Sequence, residues 1–531
     1  MKIKYILNTV KQRKENPYLD SLKIYIFLLF LRKYFDLAVK TGDSIYESNS
    51  FLISYFSQVE NLFLTTPILF FCFLIRKSSW NSFKYGSQLR FVFIVFSLLI
   101  VFKFSANTYN FYFDSWFVLE RLLLIFLFIA SIYRPFFVAP LIFLIKLSIN
   151  QYFYPLGSYS FTDLYPLLIF FPLFLSFLVL REQKFISEIS FWRTLIALQI
   201  SYYFFPGLAK LEIGNNFYDW ILYNDLKNLF NSSILMGWLL WIDKETLMRL
   251  STFIGTIRLP LNLMTVLIEV FSIYLLAKRN LVTLYLFVLG SFHLFIYLAS
   301  GIFFWKWMVL NFCLLILFLQ KNSQPLLKDL YSINPFGFAI IALMSIIAVR
   351  PLSLAWFDSK LVEKYEVELI DSRNRFHQTS GNFFKPYDKI FSQNRFSYLL
   401  DEPTNVGTYG SVGFSKLFFS DFFIPAFNFK SINKKNDLLI YNSIQNKDFS
   451  SGVNSYDPMK KENFIKFLNR YLNTYITKNN YHFSITPPHI HQPNNIIPDT
   501  IIGYRVLFKR VYTDSFNNET LYQKELINHC L

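Results

Sequence analysis

Apolar residues run in long, nearly unbroken blocks through the first two-thirds of this 531-residue sequence and become sparser in the last third. Each block is about 15 to 25 residues long, the length that a helix needs to cross the hydrocarbon core of a bilayer. The blocks lack the strict alternation of a membrane strand, so helices are expected and not a barrel. They begin near Leu22, Leu62, Leu89, Phe117, Pro135, Tyr165, Phe191, Phe253, Leu281, Phe303 and Pro335. The pattern predicts an all-α polytopic membrane helical bundle over residues 21–350, with about 9 to 11 transmembrane helices.

The last third of the chain has the pattern of a water-exposed α+β domain. Strand-like stretches occur at residues 365–370, 437–441 and 504–508. One helical stretch is predicted at residues 462–476, and Asn, Pro and Gly residues typical of turns lie between these elements. We therefore place a soluble C-terminal domain at residues 351–531 and a short basic segment at residues 1–20.

Composition and charge support a membrane location and give it an orientation. Hydrophobic residues make up 53% of the chain and charged residues only 16%, a balance that soluble proteins of this size rarely have. The net charge is +17, and many of the basic residues cluster in short loops on the side of the N-terminus, as the positive-inside rule predicts for a cytoplasmic face. We expect a cytoplasmic N-terminus, a C-terminal domain outside, the lipid bilayer as partner and no nucleic acid.

Polar residues inside the predicted membrane helices are the candidates for chemistry, because a polar group in a bilayer needs a partner or a cavity. Three blocks carry polar residues at intervals of three or four, which places their side chains on one helical face. The residues are Gln199, Tyr203, Pro206 and Lys210 in the first block, Arg258, Asn262, Thr265 and Glu269 in the second, and His293, Tyr297 and Ser300 in the third. In the antiparallel second and third helices, Glu269 and His293 lie at similar depths, where a contact is possible.

Each of these residues also has an ordinary structural interpretation. Lys210, at a helix end, can extend its ammonium group to the interface, Glu269 with His293 can form a structural hydrogen bond, and Arg258 can anchor to a lipid phosphate. Lys210, Arg258 and Glu120 map to the outer membrane boundary and would line a pocket open to that face. A lysine held in such a pocket loses hydration of its charged form, so its neutral amine can act as a base.

No metal site and no thiol chemistry are predicted. His489 and His491 alternate as two ligands on one strand would, but no third ligand follows at a suitable spacing. The cysteines are Cys72, Cys313 and Cys530, which form neither a Cys-x-x-Cys motif nor a disulfide framework.

The seventh block carries the most specific motif in the sequence. It reads Phe191-Trp192-Arg193, then Gln199-Ile200-Ser201-Tyr202-Tyr203-Phe204-Phe205, then Gly207-Leu208-Ala209-Lys210-Leu211, with Asp219-Trp220 after a polar gap. The motif resembles the HTTM family, the membrane domain shared by vitamin K-dependent gamma-carboxylase and its bacterial relatives. Further matches follow in the same order, namely Glu269, Phe292-His293, Gly301-Ile302-Phe303 and Met308-Val309-Leu310. The specific resemblance covers residues 191–318.

The resemblance implies a bacterial inner-membrane enzyme that uses a reduced quinone to modify a peptide or protein partner. In that family the matching lysine is thought to deprotonate the quinol so that it reacts with oxygen. The oxygenated quinone removes a proton from a glutamate side chain, and the carbanion captures carbon dioxide. Lys210 inherits the role of base, and His293 and Glu269 are the other expected catalytic residues. The polar stripes add Tyr203, Gln199, Arg258 and Asn262 as expected cofactor-binding residues.

A second hypothesis is non-enzymatic. The bundle would then be a membrane scaffold or a lipid-binding module, Lys210 and Arg258 would bind a lipid phosphate, and the C-terminal domain would dock a partner. Transport has less support, because the sequence shows no inverted pair of broken helices. The position of Lys210 discriminates between the first two hypotheses, because a Lys210 that faces lipid headgroups and not a cavity shared with His293 and Glu269 would count against the enzyme.

Overall fold

The computed structural model describes residues 16–39, 45–156, 161–239, 241–349, 356–358, 360–392, 396–402, 411–413, 456–478, 500–514 and 517–531. Helices make up most of this structure, and a small antiparallel sheet follows them toward the C-terminus. Outside the described residues lie most of the basic N-terminal segment, the strand predicted at residues 437–441, and His489 and His491.

The first two-thirds of the chain fold as a helical bundle. Its helices are α1 (Pro17–Ala38), α2 (Phe51–Ser57), α3 (Val59–Leu74), α4 (Gly86–Ala106), α5 (Asn110–Phe113), α6 (Val118–Tyr133), α7 (Val138–Phe153), α8 (Phe161–Glu182), α9 (Glu188–Glu212), α10 (Asp219–Tyr223), α11 (Leu226–Leu235), α12 (Lys244–Thr256), α13 (Arg258–Val270), α14 (Ser272–Leu275), α15 (Val282–Ser300), α16 (Trp305–Leu319), α17 (Gln324–Leu330) and α18 (Pro335–Met344). Local signals set several helix starts. The side chain of Asn16 caps α1 and that of Asn334 caps α18, which has Pro335 at its first position.

Three segments among the described residues are long and apolar enough to cross a membrane. They are α4, the segment Pro135–Leu156 that contains α7, and α15. Three further pairs qualify only if each counts as one bent span, namely α2 with α3 (100°), α12 with α13 (65°), and Lys321–Leu330 with Pro335–Ile347 (78°). By length and composition the described chain thus has three such spans, or up to six. The larger count of about 9 to 11 stays a prediction.

Three of the predicted apolar blocks, those that begin near Leu62, Phe253 and Pro335, fall in these bent pairs. The block that begins near Leu62 is one arm of the pair that bends by 100°. The block that begins at Pro335 forms an α-helix of only 10 residues. At about 1.5 Å per residue, that helix is too short to cross a bilayer.

Charged residues in α1 have partners elsewhere in the bundle. Arg32 donates a hydrogen bond to the carbonyl of Ala348 at 2.5 Å, and Asp36 pairs with Lys146 of α7 at 2.6 Å. Because these charges are compensated, α1 continues through residues that interrupt the apolar pattern of its block.

The C-terminal domain contains a four-stranded antiparallel sheet in the order β3-β2-β5-β6, and β1 pairs with β4. The strands are β1 (Trp356–Asp358), β2 (Leu361–Asp371), β3 (Phe376–Gln378), β4 (Ser411–Gly413), β5 (Ile501–Asp514) and β6 (Asn517–Cys530), and the helices are α19 (Asp388–Ser392) and α20 (Pro458–Lys478). The structure confirms the strands predicted in β2 and β5 and the helix predicted in α20, all longer than expected. It adds β6, whose many polar residues obscure the alternation of a strand.

The C-terminal domain packs on one end of the helical bundle, which we term the domain-facing end. Arg470 of α20 donates to the carbonyl of Tyr112 at 2.6 Å. The rings of Tyr152 and Tyr387 stack with their centroids 4.8 Å apart. Buried apolar residues from the bundle and from the domain form one continuous core, so the two parts are in direct contact.

Candidate functional site

Helices α9 and α13 cross at Gly207, and this crossing positions the first pair of candidate residues. A Cβ atom on Gly207 would lie 2.9 Å from Glu269 Cβ and from Val270 Cγ2, so the absence of a side chain lets the two helices approach closely. One turn further along α9, Lys210 Nζ lies 2.6 Å from Glu269 Oε2. Their side chains are 8% and 10% exposed. Lys210 therefore forms a buried ion pair, and its ammonium group is not exposed at the surface of the protein.

A cavity of about 170 Å³ lies beside this ion pair. Its phenylalanine, tyrosine and tryptophan lining residues are Tyr202, Tyr203, Trp220, Phe230, Phe292, Phe295, Phe304 and Trp307. Its ionisable lining residues besides tyrosine are Lys210, Glu269, His293 and Asp358. An apolar cavity of about 150 Å³ accommodates a benzene ring, so this cavity has room for one substituted aromatic ring.

His293 of α15 lines the cavity and is 9% exposed. Its ring lies between those of Tyr203 and Phe304, with centroid distances of 5.4 and 5.5 Å. Both imidazole nitrogens are buried and have no hydrogen-bond partner among the described residues, and Glu269 pairs with Lys210 instead. Buried polar atoms in native proteins are nearly always hydrogen-bonded. The two unpaired nitrogens at the cavity wall can therefore hydrogen-bond to a molecule that occupies the cavity.

Asn311 of α16 ties two of the predicted residues together. Gln199 donates from Nε2 to Asn311 Oδ1, and Asn311 donates from Nδ2 to Tyr203 Oη at 2.7 Å. Tyr203 lines the cavity, whereas Gln199 is not part of its wall. Gln199 thus positions Tyr203 through Asn311, a residue that the helical spacing of α9 could not reveal because it lies on another helix.

The two other predicted residues of α13, Asn262 and Arg258, bind backbone carbonyls that follow the cavity residue Trp220 in the chain. Asn262 donates to the carbonyls of Ile221 at 3.0 Å and Asn224 at 2.7 Å. Arg258 donates to the carbonyl of Leu222 at 3.3 Å. Neither Asn262 nor Arg258 lines the cavity, so both hold the end of α10 and the residue after it, and neither contacts the cavity directly.

Asp358, at the end of β1, brings a second carboxylate to the cavity wall. Asn224 donates from Nδ2 to Asp358 Oδ2 at 3.1 Å and accepts at Oδ1 from the Asp358 backbone N–H at 2.8 Å. Asn228 donates to the Asp358 carbonyl at 2.9 Å. Burial of this side chain raises the pKa of its carboxyl group to about 7. No motif surrounds Asp358 in the sequence, so only the fold reveals its position.

The expectation that Glu120 and Arg258 share a pocket with Lys210 is wrong, because neither lines the cavity. Glu120 accepts hydrogen bonds from Ser50 Oγ at 2.5 Å and from the backbone N–H of Leu52 at 3.2 Å, at the start of α2. Within the described ranges, no three His, Cys, Asp or Glu side chains are grouped so as to hold a metal ion.

The chain matches no protein-family model, no curated protein and no solved structure. The resemblance to the HTTM family is therefore a prediction from the motifs around Lys210, and the function has to be argued from the cavity.

Proposed function

We propose that this chain is a vitamin K-dependent gamma-carboxylase-like (HTTM) integral membrane protein that binds a reduced quinone in the cavity and uses it to modify a peptide or protein partner. The supporting observation is that Lys210, Glu269 and His293 line one cavity with aromatic walls. A lysine that only anchored the helix to lipid headgroups would have no reason to share a buried space with a carboxylate and an unpaired imidazole.

The wall of the cavity suits a flat ring that carries oxygen atoms. Tyr202 and Trp307 lie next to each other with centroids 4.5 Å apart, and such rings favour stacking on an aromatic ligand. The neutral imidazole of His293 offers one donor and one acceptor, which match the hydroxyl groups of a hydroquinone. The residues present thus fit a reduced quinone in size, polarity and hydrogen bonding.

The proposed route of entry is the apolar surface of α15, because one residue of this helix both lines the cavity and is exposed. Phe295 lines the cavity and is 47% exposed. Leu294 and Leu298 on the same helix, and Met264 on α13, are also exposed. Helix α15 is one of the three segments that qualify as a membrane span. An apolar surface on such a helix favours lateral entry of a lipid-soluble molecule, which is the form in which a membrane quinone occurs.

The ion pair has to change its protonation for Lys210 to act as a base. A separated pair of charges is costly in a poorly hydrated site. Transfer of one proton from Lys210 Nζ to Glu269 Oε2, across 2.6 Å, makes both groups neutral. The amine can then accept a proton from a hydroxyl group in the cavity. Glu269 holds the proton of Lys210, and His293 orients the ring by hydrogen bonds.

A reduced quinone in this position would supply, on reaction with oxygen, a base strong enough to remove a carbon-bound proton from the substrate. An aromatic lining disfavours water, and this would protect a strong base from being quenched before it reacts.

The test compares two lysine variants in protein purified with its native lipids. Bound quinones are identified by mass spectrometry, and oxygen uptake is measured after addition of a short-chain naphthoquinol. Lys210→Met removes the amine and keeps most of its volume. Lys146→Met is the matched control, because Lys146 also pairs with a carboxylate, that of Asp36, and does not line the cavity.

We expect oxygen uptake to fall at least about 100-fold in Lys210→Met, the usual contribution of a general base, and to stay unchanged in Lys146→Met. Equal rates in both variants, or a wild type with neither bound quinone nor turnover, would refute the enzyme proposal. Those results would favour the alternative of a non-catalytic scaffold or lipid-binding module that docks a partner through its C-terminal domain.

A further inference from the structure

Asp358 has no part in the chemistry proposed above, although it lines the same cavity as Lys210 and His293. Asn224 fixes its carboxylate through Oδ2 and its backbone through the N–H group. Among the described residues, no group donates a hydrogen bond to its second carboxylate oxygen, Oδ1. The residue is thus held rigidly while one polar atom stays available to a ligand.

The charges of the cavity do not balance if every group is ionised. The ammonium of Lys210 compensates one carboxylate, and Glu269 at 2.6 Å is the one it contacts. A second buried carboxylate without its own cation is costly and takes up a proton instead. Asp358 is that second carboxylate, since its side-chain hydrogen bond comes from the neutral amide of Asn224.

Asp358 and His293 lie toward opposite ends of the cavity. Asn262 contacts the Asn224 backbone, and it precedes Glu269 on α13 by two helical turns, about 10 Å. Asp358 is therefore on the domain-facing side of the ion pair. His293 packs on Tyr203, which precedes Lys210 on α9 by a similar distance. A ligand in the cavity therefore meets Asp358 on the domain-facing side of the ion pair, at a point separate from His293.

We propose that Asp358 is a ligand-binding residue whose protonated carboxyl group donates a hydrogen bond to an oxygen atom of the ring ligand in the cavity, on the domain-facing side of the Lys210–Glu269 pair. This inference rests on the proposed function, because it takes a quinone-type ring as the ligand. Since Asp358 belongs to the first strand after the bundle, it also means that the C-terminal part of the chain completes the binding site.

The groups around Asp358 are consistent with a proton held near neutral pH. Burial is the main cause that raises the pKa of Asp358 to about 7, and the carboxylate of Asp225 acts in the same direction. The hydrogen bond from Asn224 and the ammonium of Lys210 oppose this rise. On α11, which packs on β1, the charged side chain is Lys227, which lies against α12. Strand β4, on the other side of β1, carries no charged residue.

The test measures binding of a short-chain naphthoquinone to the full-length protein in lipid nanodiscs, by quenching of tryptophan fluorescence. Trp220 and Trp307 line the cavity and serve as reporters. Asp358→Asn keeps a donor but does not ionise, and Asp358→Leu has similar size and no donor. Asp457→Asn, which changes an exposed aspartate at the start of α20, is the control.

Wild type and the Asp457→Asn control should bind several-fold more weakly at about pH 8.5 than at about pH 6, because Asp358 loses its proton between these values. Binding to Asp358→Asn should be as tight as that of wild type at the lower pH and should not vary with pH. Asp358→Leu should bind about 10-fold more weakly at both values, the usual effect of one lost hydrogen bond. An unchanged pH dependence in Asp358→Asn, or wild-type affinity in Asp358→Leu, would overturn the inference.

A wild type that binds no naphthoquinone would overturn the proposed function, and with it the ligand contact of Asp358. Infrared spectroscopy of the ligand-free protein separates the two failures. A protonated-carboxyl band at about pH 6 that is present in wild type and missing from Asp358→Asn supports the proton on Asp358 whatever the ligand. Identical bands in the two proteins would refute it.

Discussion

The buried pair of Lys210 and Glu269 can be tested by removing its members singly and together. The substitutions are Lys210→Met, Glu269→Leu and the double variant, which replace charged side chains by apolar ones of similar size. Because both side chains are about nine-tenths buried, water can screen the remaining charge in a single variant only slightly.

The expected energies follow from the asymmetry of buried ion pairs. Loss of one member typically costs about 3–5 kcal/mol, whereas replacement of both by apolar residues is about neutral or stabilising. Two features moderate the single losses. A lone Glu269 can take up a proton, and a lone Lys210 keeps its contact with the face of the Trp220 ring, at 5.5 Å. We therefore expect each single variant to lose about 3 kcal/mol of stability, the lower limit of that range.

Thermal unfolding in nanodiscs, at one fixed scan rate, converts this energy into a measurable shift. At about 2.1 cal/mol/K for each of the 531 residues, the entropy of unfolding is about 1.1 kcal/mol/K. A loss of about 3 kcal/mol then lowers Tm by about 3 °C. The double variant should unfold within about 1 °C of wild type, although its naphthoquinol oxidation should stay as low as that of Lys210→Met.

The result that would refute this reasoning is additivity. If the double variant loses as much Tm as the two single variants combined, the side chains do not interact, and the close crossing of α9 and α13 at Gly207 is wrong. Acidic buffer gives a second check, because protonation of Glu269 should return part of the lost Tm to Lys210→Met and none to Glu269→Leu.

Two further predictions concern the frame around the cavity. Gly301→Ala should lower the free energy of unfolding by at least about 1 kcal/mol, which a lower Tm would show. Gly301 has φ 72°, and an added Cβ would lie 2.7 Å from the Trp238 ring. An unchanged Tm would contradict the turn at the end of α15. Arg470→Ala should increase hydrogen exchange around Tyr112, because Arg470 donates a hydrogen bond to the Tyr112 carbonyl at 2.6 Å. Lys466→Ala, which changes an exposed residue of the same helix, should leave this exchange unchanged. Equal exchange in both variants would place the docking contact elsewhere.

Helical spacing in the sequence predicts which residues share a face, and α13 shows how far that reaches. Asn262 and Glu269 are both buried on this helix, as their spacing indicates. The spacing does not predict the contact partner of each residue. In the structure Glu269 contacts Lys210, whereas Asn262, two turns away, binds backbone carbonyls near Asn224. The distinction depends on the crossing of α9 and α13 at Gly207, a tertiary feature.

Hydropathy predicts where helices occur but not how they are joined. An averaged apolar stretch contains α2 and α3, yet the chain turns by 100° between them at Gln58, because a single residue with extended backbone is enough to redirect a helix. The position of Asp358 is even harder to predict from the sequence. Its neighbours in sequence are those of an ordinary strand, and its partner Asn224 lies in a distant loop, so its place in the cavity follows only from the packing of β1 on α11.

The two sides of the cavity differ in which molecules they can admit, and this bears on the proposed partner. A ring with a hydrophobic tail can enter at Phe295, through the apolar face of α15. A peptide carries polar backbone groups, which are costly to expose to lipid, so it cannot use that route. Under the proposed function it would approach from the domain-facing end, where Asp358 lines the cavity and Asn262 holds the end of α10. The end of α10 and the strand that ends at Asp358 would then have to move for the substrate to reach the ring, and the asparagine bonds of Asn262 and Asn224 are the contacts that such a movement breaks.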